Sequence, residues 1–153
     1  MGVVGAGDDG FLVALPLEHV RETMRPLPVR ALPGLPRFVP GLAMVRGQAT
    51  PVVDAGALLG VRSPRAGRFV SLDVGSRTVA LAVTEVLGVR DLDGLAPHLG
   101  ADGLPPLLRT LDNSVVEAVR AVDSDLLLVL TASALVPEET WAAVSSAPAG
   151  AAS

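Results

Sequence analysis

At 153 residues, half of them apolar and 18% charged, the chain is long enough for one domain or two very small intertwined ones, and too apolar for wholesale disorder. Twelve basic against sixteen acidic residues give a net charge of −4, the wrong sign for a phosphate-tracking surface, and one tryptophan, three phenylalanines and no tyrosine leave little for stacking bases. The absence of cysteine excludes a disulfide framework, a thiolate zinc site and a thiol nucleophile, and with every basic residue an arginine there is no lysine for a Schiff base or a P-loop.

Thirteen prolines and sixteen glycines punctuate the chain and leave little room for long helices. Gly5-Ala6-Gly7-Asp8-Asp9-Gly10 matches G-x-G-x-x-G letter for letter. A dinucleotide loop must open a helix, however, and the residues after it read as a strand, with Asp8 and Asp9 repelling phosphate; a hairpin turn is expected there. Short Val, Leu and Ala runs at 11–17, 49–53, 68–74, 78–83, 115–122 and 126–130 have strand lengths. At 115–122 the polar Glu117 and Arg120 stand three apart, so strand alternation is imperfect and helical spacing competes. Tight turns are expected at 7–10, 74–77 and 122–125. Asp54 reads as the N-cap of a short helix ending at Gly60; Thr131 before 132–136 repeats that arrangement, and Pro137-Glu138-Glu139 suits the first turn of a last helix. The Ala/Ser/Pro/Gly end, 145–153, reads as a frayed tail. Many short strands with tight turns argue for small barrels rather than an open parallel sheet.

An internal echo underlies this order. Residues 12–20 align with 78–86 at an offset of 66, and the unit around Asp54 recurs around Thr131 at an offset of 77. Two related halves, the second with a longer excursion at 92–106, would produce both offsets; chance matching of Val, Ala and Leu competes with that reading. The apolar run at 126–130 is far too short to cross a bilayer, and Met1 is followed by no basic and apolar leader, so a soluble cytoplasmic protein is expected.

Little here carries catalysis. Asp91-Leu92-Asp93-Gly94 has the start of a calcium loop but lacks the glutamate at its twelfth position, so an exposed turn is expected. His19 and His98, the two histidines, have no second histidine or cysteine at ligand spacing, and on a strand His19 and Glu18 would face opposite ways. No serine sits in a G-x-S-x-G elbow. The segment 38–54 is more unusual: Arg46 stands alone in an apolar stretch, immediately before Gly47. Two readings compete for it, an arginine snorkelling to solvent at a strand end beside a plain helix cap at Asp54, and a charge presented by a rigid apolar surface as an interface anchor.

From here the sequence resembles the CheW-like family of bacterial chemosensory coupling modules. The resemblance covers roughly residues 3–136, in order. FLVALPLEHVRETM at 11–24 is similar to a strand of the family followed by its A-L-P-L-E-x-V-R-E segment, and 27–39 matches its proline-rich stretch. GLAMVRGQATPVVD at 41–54 is similar to the signature G-x-x-N-L-R-G-x-x-x-P-V-x-D. Residues 69–89 resemble the second-half V-A-L-x-V-x-E-V-L-G-V block, and 126–136 the closing unit. The family resemblance implies an all-β chain with a few short helices, two small five-stranded SH3/OB-like β-barrels packed on a shared core, as a single domain over 3–143 with a flexible tail at 144–153. It further implies a non-enzymatic adaptor without cofactor or metal, in the cytoplasm at membrane-proximal receptor arrays. That adaptor would couple the cytoplasmic tip of methyl-accepting chemoreceptors to the regulatory domain of a chemosensory histidine kinase, with no nucleic acid partner and no membrane insertion. Carried over by position, the docking residues are Arg46 and Gly47 of the signature, Val20 and Glu22 of the strand flanking the receptor groove, and Met44. Arg46 would pair with a receptor carboxylate while Val20 and apolar neighbours bury against the tip. Met44 stands where the family has asparagine, Val45 where it has leucine, and Thr84 and Thr131 where it has aspartate; Thr131 keeps a hydroxyl for capping. The first strand looks truncated to 3–6. The competing reading is a barrel module for a small-molecule or nucleic-acid ligand.

Overall fold

A computed structural model describes residues 2–6, 11–60, 66–97, 115–123 and 125–145. The elements are β1 (Gly2–Ala6), β2 (Phe11–Pro16), β3 (Val20–Met24), β4 (Gly41–Val45), β5 (Gln48–Asp54), α1 (Ala55–Leu59), β6 (Arg68–Val74), β7 (Arg77–Val83), β8 (Glu85–Arg90), β9 (Ala96–Pro97), β10 (Val116–Val122), β11 (Asp125–Leu130) and α2 (Glu138–Ser145), with single 3-10 turns at Leu17–His19 and Ala132–Ala134. One sheet runs β8-β1-β2-β11-β10-β9 and the other β3-β6-β7-β5-β4. The second has the five strands expected; the first has a sixth, because the two-residue β9 adds to the free edge of β10.

The six strand runs read from composition are all strands. The first strand is not cut short: all five residues of β1 pair with β2 on one side and β8 on the other. Its successor at Phe11 is a strand and not a helix, as expected after the G-x-G-x-x-G decoy; residues 7–10 themselves lie outside the described residues. The uneven alternation at 115–122 has a local cause. Val116 pairs with Leu130 and Ala118 with Val129, so Glu117 is the extra residue of a β-bulge and the period slips by one.

The two halves are visible in the topology. Exchanging β1, β2, β3, β4 and β5 with β6, β7, β8, β10 and β11 respectively converts the order of the five-stranded sheet, β3-β6-β7-β5-β4, into β8-β1-β2-β11-β10. The register obeys the sequence offsets. Val52 pairs in parallel with Ala80, and the residues 77 later and 66 earlier, Val129 and Ala14, pair in parallel too. Bulges fall at Arg21 in β3 and at Leu87 in β8, again 66 apart. The β4–β5 and β10–β11 turns each place a non-glycine residue at positive φ, Arg46 at 50° and Asp123 at 54°, 77 apart. Each half gives strands to both sheets, so neither sheet is made by one half alone.

Three apolar layers follow from this exchange. Between the sheets lies a shared core that includes Val13, Leu15, Val53, Val70, Leu72, Leu81, Leu128 and Leu130. The opposite face of the six-stranded sheet buries Ala14, Leu127 and Val129 with Leu92, and that of the five-stranded sheet buries Ala43, Val52, Phe69 and Ala80. Central strands apolar on both faces read as continuous hydrophobic runs, which is what the sequence shows at 79–83 and 126–130.

The caps divide. Asp54 caps α1 as expected, its Oδ1 accepting from the Ala57 N–H at 3.2 Å, and Gly60 ends the helix at φ 74° in the left-handed region. Thr131 makes no such bond: residues 132–134 close as a 3-10 turn, and the threonine hydroxyl caps nothing. Helix α2 continues through Ser145, past the start of the tail expected at 144; residues 146–153 lie outside the described residues. It is clasped by Arg77, whose guanidinium stacks 4.8 Å from the centre of the Trp141 ring and donates to both carboxylate oxygens of Glu138 at 2.9 and 3.4 Å.

One buried group is out of keeping with its surroundings. Ser71 in β6 is fully buried opposite Ala80, and its Oγ has no hydrogen-bond partner among the described residues. An unpaired hydroxyl in an apolar layer has lost water and gained nothing, so Ser71→Ala is expected to leave stability unchanged or raise it by up to about 1 kcal/mol, read from the urea midpoint. A loss would show that the hydroxyl has a partner in solution.

Candidate functional site

The signature arginine stands in a turn rather than in a strand. Val45 pairs with Gln48, which leaves Arg46 and Gly47 as a two-residue hairpin loop with φ of 50° and 78°. Positive φ at both central positions is the I′ pattern, whose twist suits a right-handed hairpin. Glycine takes that conformation freely; an arginine there carries a steric cost of about 1 kcal/mol.

The strained arginine is tied down. Its Nε donates to Oε1 of Glu22 at 2.7 Å and its Nη2 to Oε2 at 2.6 Å, a two-pronged guanidinium–carboxylate pair. Glu22 lies on β3 and Arg46 follows β4, and these strands are the two opposite edges of the five-stranded sheet. The sheet therefore curls until its edges come within side-chain reach, and the ion pair spans the seam. A further rung holds the same edge: Arg30 and Leu42 exchange backbone hydrogen bonds of 2.8 and 2.9 Å. Gly41 permits this approach, since a Cβ there would stand 2.1 Å from the Arg30 carbonyl oxygen.

The hydrogen bonds from Arg46 hold the Glu22 carboxyl below the ordinary glutamate range, and Glu22 in turn raises the guanidinium. A carboxyl depressed in the folded state stabilises the fold above its unfolded pKa, and that contribution is lost as pH falls through the folded value. The Glu22 side-chain carbon followed by NMR is therefore expected to titrate below a free glutamate, and to return to the ordinary range in Arg46→Gln. An unshifted Glu22 in the wild-type chain would mean the pair is open in solution.

Of the five residues carried over from the resemblance, the structure joins three, Glu22, Arg46 and Gly47. Met44 is two residues before Arg46 on β4 and is 42% exposed, unusual for a large apolar side chain. Val20 opens β3 but is half-buried, packed against the shared core. The pair's charges face each other within the chain, so the arginine is not a lone cation awaiting a partner. Sequence reasoning named both residues and missed their contact, for which 24 residues of separation leave no local signal. It also missed Leu87 and Val89, exposed on β8. His19 departs from expectation: because it sits in a 3-10 turn and not on a strand, its Nε2 lies 3.8 Å from the Glu18 carboxylate, while its Nδ1 is 3.3 Å from the Asp73 carbonyl oxygen. Asp91 to Gly94 form a turn, as expected, with the Asp93 N–H donating to Asp91 Oδ1 at 3.2 Å. His98 lies outside the described residues.

Comparison with known proteins agrees with this architecture. The chain is similar to the chemotaxis protein CheW of Rhizobium meliloti (strain 1021), with 28% identity over 139 residues covering 87% of this chain and 84% of that one. Its fold is similar to the crystal structure of the scaffolding protein TtCheW from Thermoanaerobacter tengcongensis, at a TM-score of 0.64 and 20% identity over 85% of this chain and 87% of that one. The family model of the CheW-like domain matches residues 3–139, nearly the whole length, and by that match the chain belongs to the CheW-like domain family.

Proposed function

We propose that this chain is a non-enzymatic adaptor of chemosensory signalling, coupling the cytoplasmic tips of chemoreceptors to the regulatory domain of a histidine kinase. The observation that carries the reading is the family match over residues 3–139, together with a relative named as a chemotaxis protein over most of both chains. One surface feature supports it. The most distinctive exposed group is a polar latch beside an exposed methionine, a surface suited to a protein partner. Among the described residues, no helix is long and apolar enough to cross a membrane, and no group of three His, Asp or Glu side chains is placed to hold a metal. We place the adaptor in the cytoplasm, at receptor arrays. Each contact is expected to be modest, because arrays act through many linked contacts.

The testing experiment is a titration against two fragments from the same cell, the kinase regulatory domain and a receptor signalling tip. The reading requires saturable binding to both. Binding to the kinase fragment alone would restrict the chain to one half of the adaptor role, and binding to neither would overturn it.

A further inference from the structure

The duplication gives each sheet a cavity beside the apolar face that looks away from the shared core. In the five-stranded sheet the cavity is about 360 Å³ and is lined by Leu27, Pro40, Val52 and Phe69 among others, with Asp54 the single ionisable residue. In the six-stranded sheet it is about 390 Å³. The two are counterparts under the offsets of 66 and 77: Val129 answers to Val52, Thr131 to Asp54 and Pro16 to Ala82.

Their chemistry has diverged. Where the first cavity has Leu27 and Pro40, the second has Asp93 and Glu117, and Glu18 joins them together with His19, whose Nε2 is 3.8 Å from the Glu18 carboxylate. Where the first half buries Ala43 in an apolar cluster, the second places Arg120 of β10, paired with Leu127 of β11 and lining the cavity. The fold does not ask for an arginine at this position, since its counterpart is satisfied by a methyl group. Among the described residues, the buried Nε of Arg120 has no hydrogen-bond partner. A buried guanidinium N–H without an acceptor costs stability unless something supplies one.

We propose that this cavity is a binding site for a small zwitterion of the α-amino-acid class, its carboxylate on Arg120 and its ammonium among Glu18, Asp93 and Glu117. A simple anion would satisfy Arg120 but face three carboxylates, and a simple cation would face the guanidinium. A molecule carrying both charges a few bonds apart meets both demands, and the volume admits an amino acid. The site is separate from the Glu22–Arg46 latch and does not depend on the adaptor reading.

The test is NMR titration of the full chain with each of the twenty standard L-amino acids at millimolar concentration, with acetate and ethylammonium as single-charge controls. Saturable shifts at Ala118, Arg120 and Thr131 with at least one amino acid and with neither control are expected. Arg120→Met, which keeps the apolar stem, should weaken the response about tenfold or more. If that variant does not fold, Asp93→Asn at the exposed turn tests the ammonium half and should weaken it as well. Saturation by no amino acid, equal saturation by acetate, or affinity unchanged in these variants would overturn the site.

Discussion

Replacing Leu81 by alanine is expected to destabilise the protein by about 3–5 kcal/mol. Leu81 is fully buried at the middle of β7, the central strand of its sheet, with Val70 of β6 and Val53 of β5 as its pairing partners on either side. It belongs to the shared core, which both sheets line and neither can collapse into without moving the other, so the cavity would stay open. Such a loss is a large share of the 5–15 kcal/mol typical of a small domain. Leu87→Ala, at a side chain 52% exposed on β8, should by contrast stay within about 0.5 kcal/mol. Because each half supplies strands to both sheets, one cooperative transition is expected. The far-ultraviolet signal and the fluorescence of Trp141, on the terminal helix, should agree on a single urea midpoint in wild type and on a single, lower one in Leu81→Ala. Two separated transitions would show that the sheets unfold independently, against the intertwined topology.

Of the six strands legible from composition, five are buried on both faces, and the sixth, β10, is half-buried. β2, β5, β6, β7 and β11 are runs of Val, Leu and Ala because each lies between the shared core and an outer apolar layer. β3 and β8 were visible only through the family resemblance. VRETM and EVLGVR are edge strands, each with a bulge and each carrying charged side chains, so neither has a long apolar run or an unbroken period of two. The echo at offsets of 66 and 77, ambiguous among low-complexity residues, became decisive once register, bulges and turn angles obeyed the same two numbers.

The candidate site was half legible. Arg46 and Gly47 stood out by composition and by the signature, yet Arg-Gly is not a typical I′ turn pair, and a strand end was the natural reading of an arginine after Ala-Met-Val. The turn became visible only through pairing with β5. Glu22 and Arg46 were each assigned to a partner's surface, and their contact with each other depends on the curl of a whole sheet. Thr131 failed as a cap for a related reason: a threonine ahead of a short apolar segment fits an N-cap, but the segment closes as a 3-10 turn and offers its hydroxyl no N–H.

The latch leads to the second large expectation, which rests on the proposed adaptor role. Arg46→Glu should reduce receptor-tip binding by about tenfold or more while leaving binding of the kinase fragment unchanged. Taken alone, that loss has two explanations. In the first, two carboxylates facing each other across the seam displace the β4–β5 hairpin; in the second, the guanidinium itself touches the receptor through donors that Glu22 leaves unused. The charge-reversed double variant Glu22→Arg with Arg46→Glu separates them, since it restores an ion pair across the same seam with the polarity exchanged. Its amide spectrum and urea midpoint are expected to return to near wild type, because an exposed pair is worth little and either polarity closes the seam. Receptor binding is expected to stay lost, since a partner acceptor that met a guanidinium on the hairpin would now meet a carboxylate. If binding returned with the fold, Arg46 would act only by holding the hairpin in place, and the contact surface would have to be sought among exposed apolar residues, starting with Met44. If neither returned, the exchanged pair would not close the seam, and the hairpin would depend on the arginine itself at positive φ beside Gly47.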